Sequence, residues 1–164
     1  MEKNHKNHAK MSKSNMHEDH YRHLAIMAGL SFISMYILMY AMVNTIGDVF
    51  NNFNQVYMAG LMTAPMVLIE MLVMKAMYQD KQRNTLIIAV SILALLGFFL
   101  LIRGQTGISD KQFLRSMIPH HSSAILMCEQ ASIQDPEIQE LCGNIISSQQ
   151  REIDQMEGIL QRLE

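Results

Sequence analysis

LAIMAGLSFISMYILMYAMV, residues 24–43, is a run of 20 side chains without a charge. At about 1.5 Å of rise per residue it covers roughly 30 Å, the thickness of a bilayer's hydrocarbon core. VYMAGLMTAPMVLIEMLVM, residues 56–74, is a second run, interrupted only by Pro65 and Glu70; TLIIAVSILALLGFFLLI, residues 85–102, is a third and the most aliphatic. A single run of this kind also fits a buried core helix. Three in such quick succession, with scarcely a polar face between them, read as three membrane-spanning helices.

The rest of the composition fits that reading. Of 164 residues 49% are hydrophobic and 17% charged, and 13 basic against 15 acidic side chains leave a net charge of −2. A balanced charge offers nucleic acid no electrostatic footprint, so no nucleic-acid partner is expected. Three prolines and eight glycines exclude a collagen-like chain, and two cysteines are too few for a disulfide scaffold. The anomaly is methionine, at 16 residues.

Lysine and arginine set the expected orientation. The polar segment ahead of the first span carries Lys3, Lys6, Lys10, Lys13 and Arg22, and the second connection carries or adjoins Lys75, Lys81 and Arg83. The first connection has neither residue type, only Asp48 among asparagines. Positive segments stay cytoplasmic, so the N-terminus is expected inside the cell and everything after the third span periplasmic or extracellular. The expected location is a multi-pass protein of the inner (plasma) membrane, with the lipid bilayer as a partner. Three regions follow: a disordered, His-rich cytoplasmic tail over 1–23, a three-span domain over 24–103 and an extramembrane domain over 104–164. The tail is not expected to be a secretory signal, because no short apolar core with a small-residue cleavage site follows it. Its His5-x-x-His8 and His17-x-x-His20-x-x-His23 spacings fit either weak metal capture or a polar tether.

The last 61 residues read as a helical hairpin. Gly104 to Gly107 is a linker, and Ser109-Asp110-Lys111-Gln112 is a capping-box pattern. Phe113, Leu114, Met117, Ile118, Ile125 and Cys128 then recur at helical spacing. Asp135-Pro136 starts a second helix, since Asp caps and Pro suits the first helical position. Ile138, Leu141, Ile145, Ile146, Ile153, Met156, Ile159 and Leu160 mark its apolar stripe. Two helices cannot bury such stripes alone, so a second copy is expected to complete a four-helix bundle, making a homodimer or higher homo-oligomer. The fold class is all-α: three transmembrane helices followed by an antiparallel extramembrane hairpin.

A turn near Asp135 and Pro136 lays Met117, His120 and His121 opposite residues 150–154. Met117 and His121 are four apart on one face, as are Glu152 and Met156 on the other helix. Imidazole suits several transition metals, whereas thioether selects cuprous copper and similar soft ions. A core methionine pair beside two solvent-facing histidines fits the same spacing.

Residues 110–160 resemble the domain-of-unknown-function 305 family. The resemblance is carried by Asp110 and Phe113, Met117-Ile118-Pro119-His120-His121, Ala124 and Met127. It continues through Pro136-Glu137-Ile138, Leu141, Ile145-Ile146, Gln149, Glu152-Ile153, Met156 and Leu160. Ile159 departs from the tryptophan found in many members, which bears on packing more than ligation. The resemblance implies half of a ferritin-like four-helix bundle completed by oligomerisation. It also implies a copper site built from Met and His, with Met117, His120, His121, Met127 and Met156 as expected ligands and Glu152 as ligand or acceptor to an imidazole.

Three further features are read from the residues. Cys128 and Cys142 fall opposite one another near the turn; packing, a disulfide and metal binding are weighed in that order. Met35/Met39/Met42, Met58/Met62/Met66 and Met71/Met74/Met77 line helical faces, as packing or as a ladder of soft ligands. Glu70, the ionisable residue well inside a span, is costly there unless it snorkels or Lys75 satisfies it. The expected function is therefore a copper-binding membrane protein for homeostasis, buffering or delivery. The alternative is a metal transporter or transport accessory using the methionine stripes and Glu70. Catalysis is not expected: the hairpin lacks the Glu-x-x-His pairs of di-metal bundles, and no nucleophile–base pairing or phosphate-binding glycine loop is present.

Overall fold

The computed structural model describes the backbone of residues 2–163 and the side chains of residues 19–163. Among these residues the chain is all-helical: α1 (Glu2–Leu38), α2 (Phe53–Val73), α3 (Lys81–Gly104), α4 (Asp110–Gln130) and α5 (Pro136–Leu163). Three stretches are long and apolar enough to cross a membrane: Asp19–Met42, Phe53–Val73 and Lys81–Gly104. The first tightens into a 3-10 turn at Met39–Met42 before the backbone extends at Val43. α2 runs on through Pro65. α1 also takes in the segment that composition reads as a tail. Neither Gly nor Pro interrupts residues 2–28, so nothing local stops helix propagation out of the apolar run. The side chains of His5, His8 and His17 lie outside the described residues.

Short polar side chains start most of the helices. Asn52 Oδ1 accepts the backbone N–H of Gln55 at 2.9 Å, capping α2. Asp80 Oδ1 accepts those of Gln82 and Arg83 and caps α3. Asp135 Oδ1 accepts those of Glu137 and Ile138, with Pro136 in the first position of α5 as expected. The capping box at Ser109 is not made: Ser109 sits at the N-cap without a side-chain bond. Gln112 Oε1 instead accepts the N–H of Phe53 at 2.9 Å, so a tertiary partner has captured the local one.

The chain divides into two compact units. The first comprises Met1–Met35 and Met58–Leu101. Its buried cluster is Leu24, Met71 and Tyr78, with Tyr21, Met27, Val67, Met74 and Ile87 packed around it. Buried Gly60 faces the Phe98 ring so closely that a Cβ there would clash, which brings α2 and α3 together. Leu30, Leu72, Leu86, Leu93 and Leu100 stay more than 60% exposed and form an apolar outer surface, as spans require.

The second unit comprises Tyr36–Tyr57 and Ile102–Glu164. α4 and α5 pack antiparallel around Leu114, Ile118, Ile125, Ile153, Met156 and Leu160, with Ile118 and Ile153 almost fully buried. Phe50, from the connection between α1 and α2, packs on the same cluster, as do Met117, Ile146, Ile159 and Leu163. This connection and the hairpin touch within one unit. They must therefore share one side of any bilayer the helices cross.

Candidate functional site

The hairpin carries the expected ligands, and the fold sorts them. His121 is buried at 8% exposure. Its Nδ1 lies 3.2 Å from Glu152 Oε2, across the two helices at the register expected for the turn. That distance suits an ion pair, yet the buried Nδ1 has no aligned hydrogen-bond partner among the described residues. Burial lowers the His121 pKa and outweighs the opposing pull of Glu152, whose side chain is half in solvent; His120 lowers it further. The ring is therefore held neutral, the form that ligates metal.

Met117 lies one turn before His121 and packs on the hairpin core, and Met156 lies one turn after Glu152 inside that core. His120 is exposed, its ring centroid 6.1 Å from that of His121. Met127 is 52% exposed. It lies six residues further along α4, about 9 Å at 1.5 Å per residue, so the fold does not bring it to His121. The described residues contain no group of three or more His, Cys, Asp or Glu able to hold a metal ion. A site at His121 needs the thioethers.

Cys128 and Cys142 form a disulfide, with Cα atoms 5.3 Å apart. The expected order, with packing first, is corrected: the antiparallel register sets the two side chains face to face next to the turn.

The part of the site that sequence reading passes over is the first connection. Pro119, inside α4, has no N–H and so frees the carbonyl of Arg115 one turn earlier. Asn52 Nδ2, buried at 4% exposure, donates to that carbonyl at 3.3 Å and to the Phe50 carbonyl at 3.0 Å. One asparagine thus caps α2 and fills the gap that proline opens in α4. Ser122, fully buried beside His121, accepts the backbone N–H of Asn44 at 2.9 Å and donates to Asp48 Oδ2. Asn44 Nδ2 reaches Glu129 at 3.2 Å, and Asn54 pairs with the Gln105 amide and donates to Ser116. A proline in a helix and an asparagine-rich loop were both visible in the sequence. Their pairing was not, because 63 positions separate Asn52 from Arg115.

Asp48 also bears on the end of α5. Burial raises the Glu157 pKa, with Asp48 and Asp154 adding to the rise. A cavity of about 260 Å³ lies there, lined by Phe50, Glu157, Leu160 and Gln161. In the first unit, Glu70 finds a partner other than Lys75: Tyr78 Oη donates to its Oε1 at 3.4 Å.

Residues 101–164 match the family described as Domain of unknown function (DUF305). Along 133 residues the chain is 38% identical to uncharacterized protein L153 of Acanthamoeba polyphaga mimivirus, covering 79% of this chain and 86% of that protein. No solved structure matches the chain. The matched domain contains both hairpin helices with His121, Glu152 and the disulfide, and the similarity to the viral protein extends well beyond it, so the chain belongs to the DUF305 family, with three apolar helices ahead of its domain.

Proposed function

We propose that this protein binds copper in the cuprous state from an integral membrane position, serving homeostasis, buffering or delivery. The observation that carries the reading is His121 Nδ1, a buried ring nitrogen without an aligned partner, in a hairpin whose core takes in Met117, one turn before it on α4, and Met156, one turn after Glu152 on α5. A neutral imidazole with Met117 and Met156 is a donor set for a soft monovalent ion. Glu152 stands at 3.2 Å as a further ligand or an acceptor that orients the ring. His120 and Met127 lie on the surface; His120 joins the set through side-chain rotation, and Met127 can do so only from a second copy. The role is binding, not catalysis.

Oligomerisation and orientation belong to the same proposal. Phe113, Ile138 and Leu141 remain about half exposed on the hairpin, which supports a second copy completing a ferritin-like four-helix bundle. The disulfide supports an oxidising compartment for the hairpin, and the absence of Lys and Arg from the first connection supports the same side. The N-terminus is then cytoplasmic in an inner (plasma) membrane.

The test is competition for cuprous ion between a chromogenic chelator and the full-length protein in detergent. Met117→Ala/His121→Ala is expected to weaken binding about tenfold or more, on the scale seen when metal-site partners are lost. Unchanged affinity would sink the assignment.

A further inference from the structure

We infer that a second copy of the chain covers one particular flank of the hairpin, with α4 of each copy lying antiparallel on α5 of the other. The inference rests on the oligomer proposed above and gives it a face and a register; it does not depend on copper. Leu114, Ile118, His121, Ile125 and Cys128 line the face that α4 turns to α5, stepping by four and three residues. The residues one position earlier, Phe113, Met117, His120, Ala124 and Met127, repeat that step about 100° round the helix and include no Asp, Glu, Lys or Arg. On α5, Leu141, Ile145, Glu152 and Ile159 likewise each precede a residue turned to α4, namely Cys142, Ile146, Ile153 and Leu160. Because the helices run antiparallel, both sets turn to the same side of the hairpin. Phe113, Met127 and Leu141 are about half exposed there, and His120 and the Glu152 carboxylate also reach solvent. The opposite flank is taken. Ser122 and Glu129, one position after His121 and Cys128, bond to the first connection: Ser122 to Asn44 and Asp48, Glu129 to Asn44.

Register identifies what fits the open flank. The pairing that sets His121 beside Glu152 and Cys128 beside Cys142 also brings Phe113 level with Ile159, His120 with Glu152 and Met127 with Ile145. A second copy turned about a two-fold axis parallel to the helices meets the flank at those same levels. Phe113 then packs on the partner's Ile159 and Met127 on the partner's Ile145, while His120 faces the partner's Glu152. Apolar side chains meet apolar ones, and an imidazole donor meets a carboxylate acceptor. An axis across the helices at the level of His120 would instead set Glu152 against Glu152, where two carboxylates repel. A carboxylate in the middle of the flank equally disfavours burial in lipid. In the favoured register Glu152 stands between His121 of its own copy and the partner's His120, so the second copy closes the proposed copper position. Met127, held on the partner's Ile145, stays out of the donor set.

The experiment uses metal-free full-length protein in detergent. Two differently tagged copies are co-expressed, each with one added cysteine, and treated with a short bismaleimide while the native disulfide stays oxidised. Phe113→Cys in one copy and Ile159→Cys in the other are expected to yield a covalent dimer carrying both tags. Phe113→Cys with Met127→Cys, which an axis across the helices would bring together, is expected to yield little. Sedimentation should show His120→Glu weakening association by about tenfold, because it sets two carboxylates together. Adding Glu152→His to the same chain should restore association, and this swap decides even where a cysteine variant fails to fold. A dimer that cross-links Phe113 to Met127 instead, or one indifferent to His120→Glu, would overturn this interface and leave the oligomer proposed above. A chain that stays monomeric in detergent and in nanodiscs would overturn both. The Phe113–Ile159 cross-link is expected to persist in Met117→Ala/His121→Ala, so the interface and the copper reading fail separately.

Discussion

His121 is the residue at which burial and chemistry meet. Its pKa lies below the ordinary imidazole value of 6.5 because desolvation penalises the charged ring more than Glu152 favours it. Above that value both folded and unfolded chains carry neutral imidazole, and the residue adds no pH dependence. As pH falls below 6.5 the unfolded chain takes up a proton that the folded site resists, so stability declines with acid. One proton limits the slope to about 1.4 kcal/mol per pH unit. Metal-free protein should therefore lose hydrogen-exchange protection in α4 between pH 7 and 5, after correction for intrinsic rates. His121→Gln should flatten that dependence, and an unaltered slope in the variant would assign it to another group. The spacing of Met117 and His121 was legible in the sequence because helical periodicity is local. The separation of Met127 from His121 followed from the same periodicity, whereas the pairing of His121 with Glu152 needed α5, and that of its neighbour Ser122 with Asn44 and Asp48 needed the first connection.

At the scale of elements, the first connection is a structural partner of the hairpin. Asn52→Ala removes the cap of α2 and leaves the Arg115 carbonyl, already denied a helical partner by Pro119, without its side-chain donor. The cap alone is worth about 1 kcal/mol, and an unsatisfied buried carbonyl costs a further ~1–3 kcal/mol. Differential scanning calorimetry of the full-length protein should show a lower transition temperature for Asn52→Ala, with a smaller drop for Asn51→Ala, which loses only the exposed hydrogen bond from Tyr36. The disulfide closes the turn between α4 and α5 over a sequence separation of 14. Cross-linking a loop of that size limits the unfolded chain by about 3 kcal/mol. Reduction should accordingly expose the α4–α5 turn to proteolysis near residues 131–135, accompanied by a mass gain of two hydrogens; a turn equally protected in both states would show that the helices hold it unaided. The capping box at Ser109 teaches the complementary lesson. Its sequence pattern is sound, yet Gln112 bonds Phe53 instead, because a tertiary partner outcompeted the local one.

For the whole molecule, topology is constrained by connectivity and by contact. If each of the three apolar helices crosses a bilayer, α4 and α5 lie on the side reached after α3, and the first connection lies on that same side after α1. The hydrogen bonds of Asn44, Asp48 and Asn52 to α4 require that shared side. With the orientation proposed from charge and disulfide, a membrane-impermeant reductant followed by an impermeant maleimide should label Cys128 and Cys142 in intact cells. Labelling only after membrane rupture would reverse the orientation. The methionine excess also divides at this scale. Most methionines lie in or beside the spans, Met117, Met127 and Met156 lie in the hairpin, and the rest precede the first span. Among the span methionines, the fold packs Met27, Met71 and Met74 in one apolar cluster with Leu24 and Tyr78.

By itself the sequence determined the helical class, three helices long and apolar enough to cross a membrane, the hairpin and its turn, because apolar run length, 3.6-residue periodicity and capping residues act over a few neighbours. It also brought His121 opposite Glu152, since an antiparallel hairpin with a short turn leaves little freedom of register. Only the tertiary structure decided which candidate side chains are buried, that the two cysteines join, and that an asparagine in the first connection completes the hydrogen bonding of a proline-broken helix. Those outcomes depend on contacts across many tens of residues, where burial and the satisfaction of polar groups, rather than local preference, select the partner.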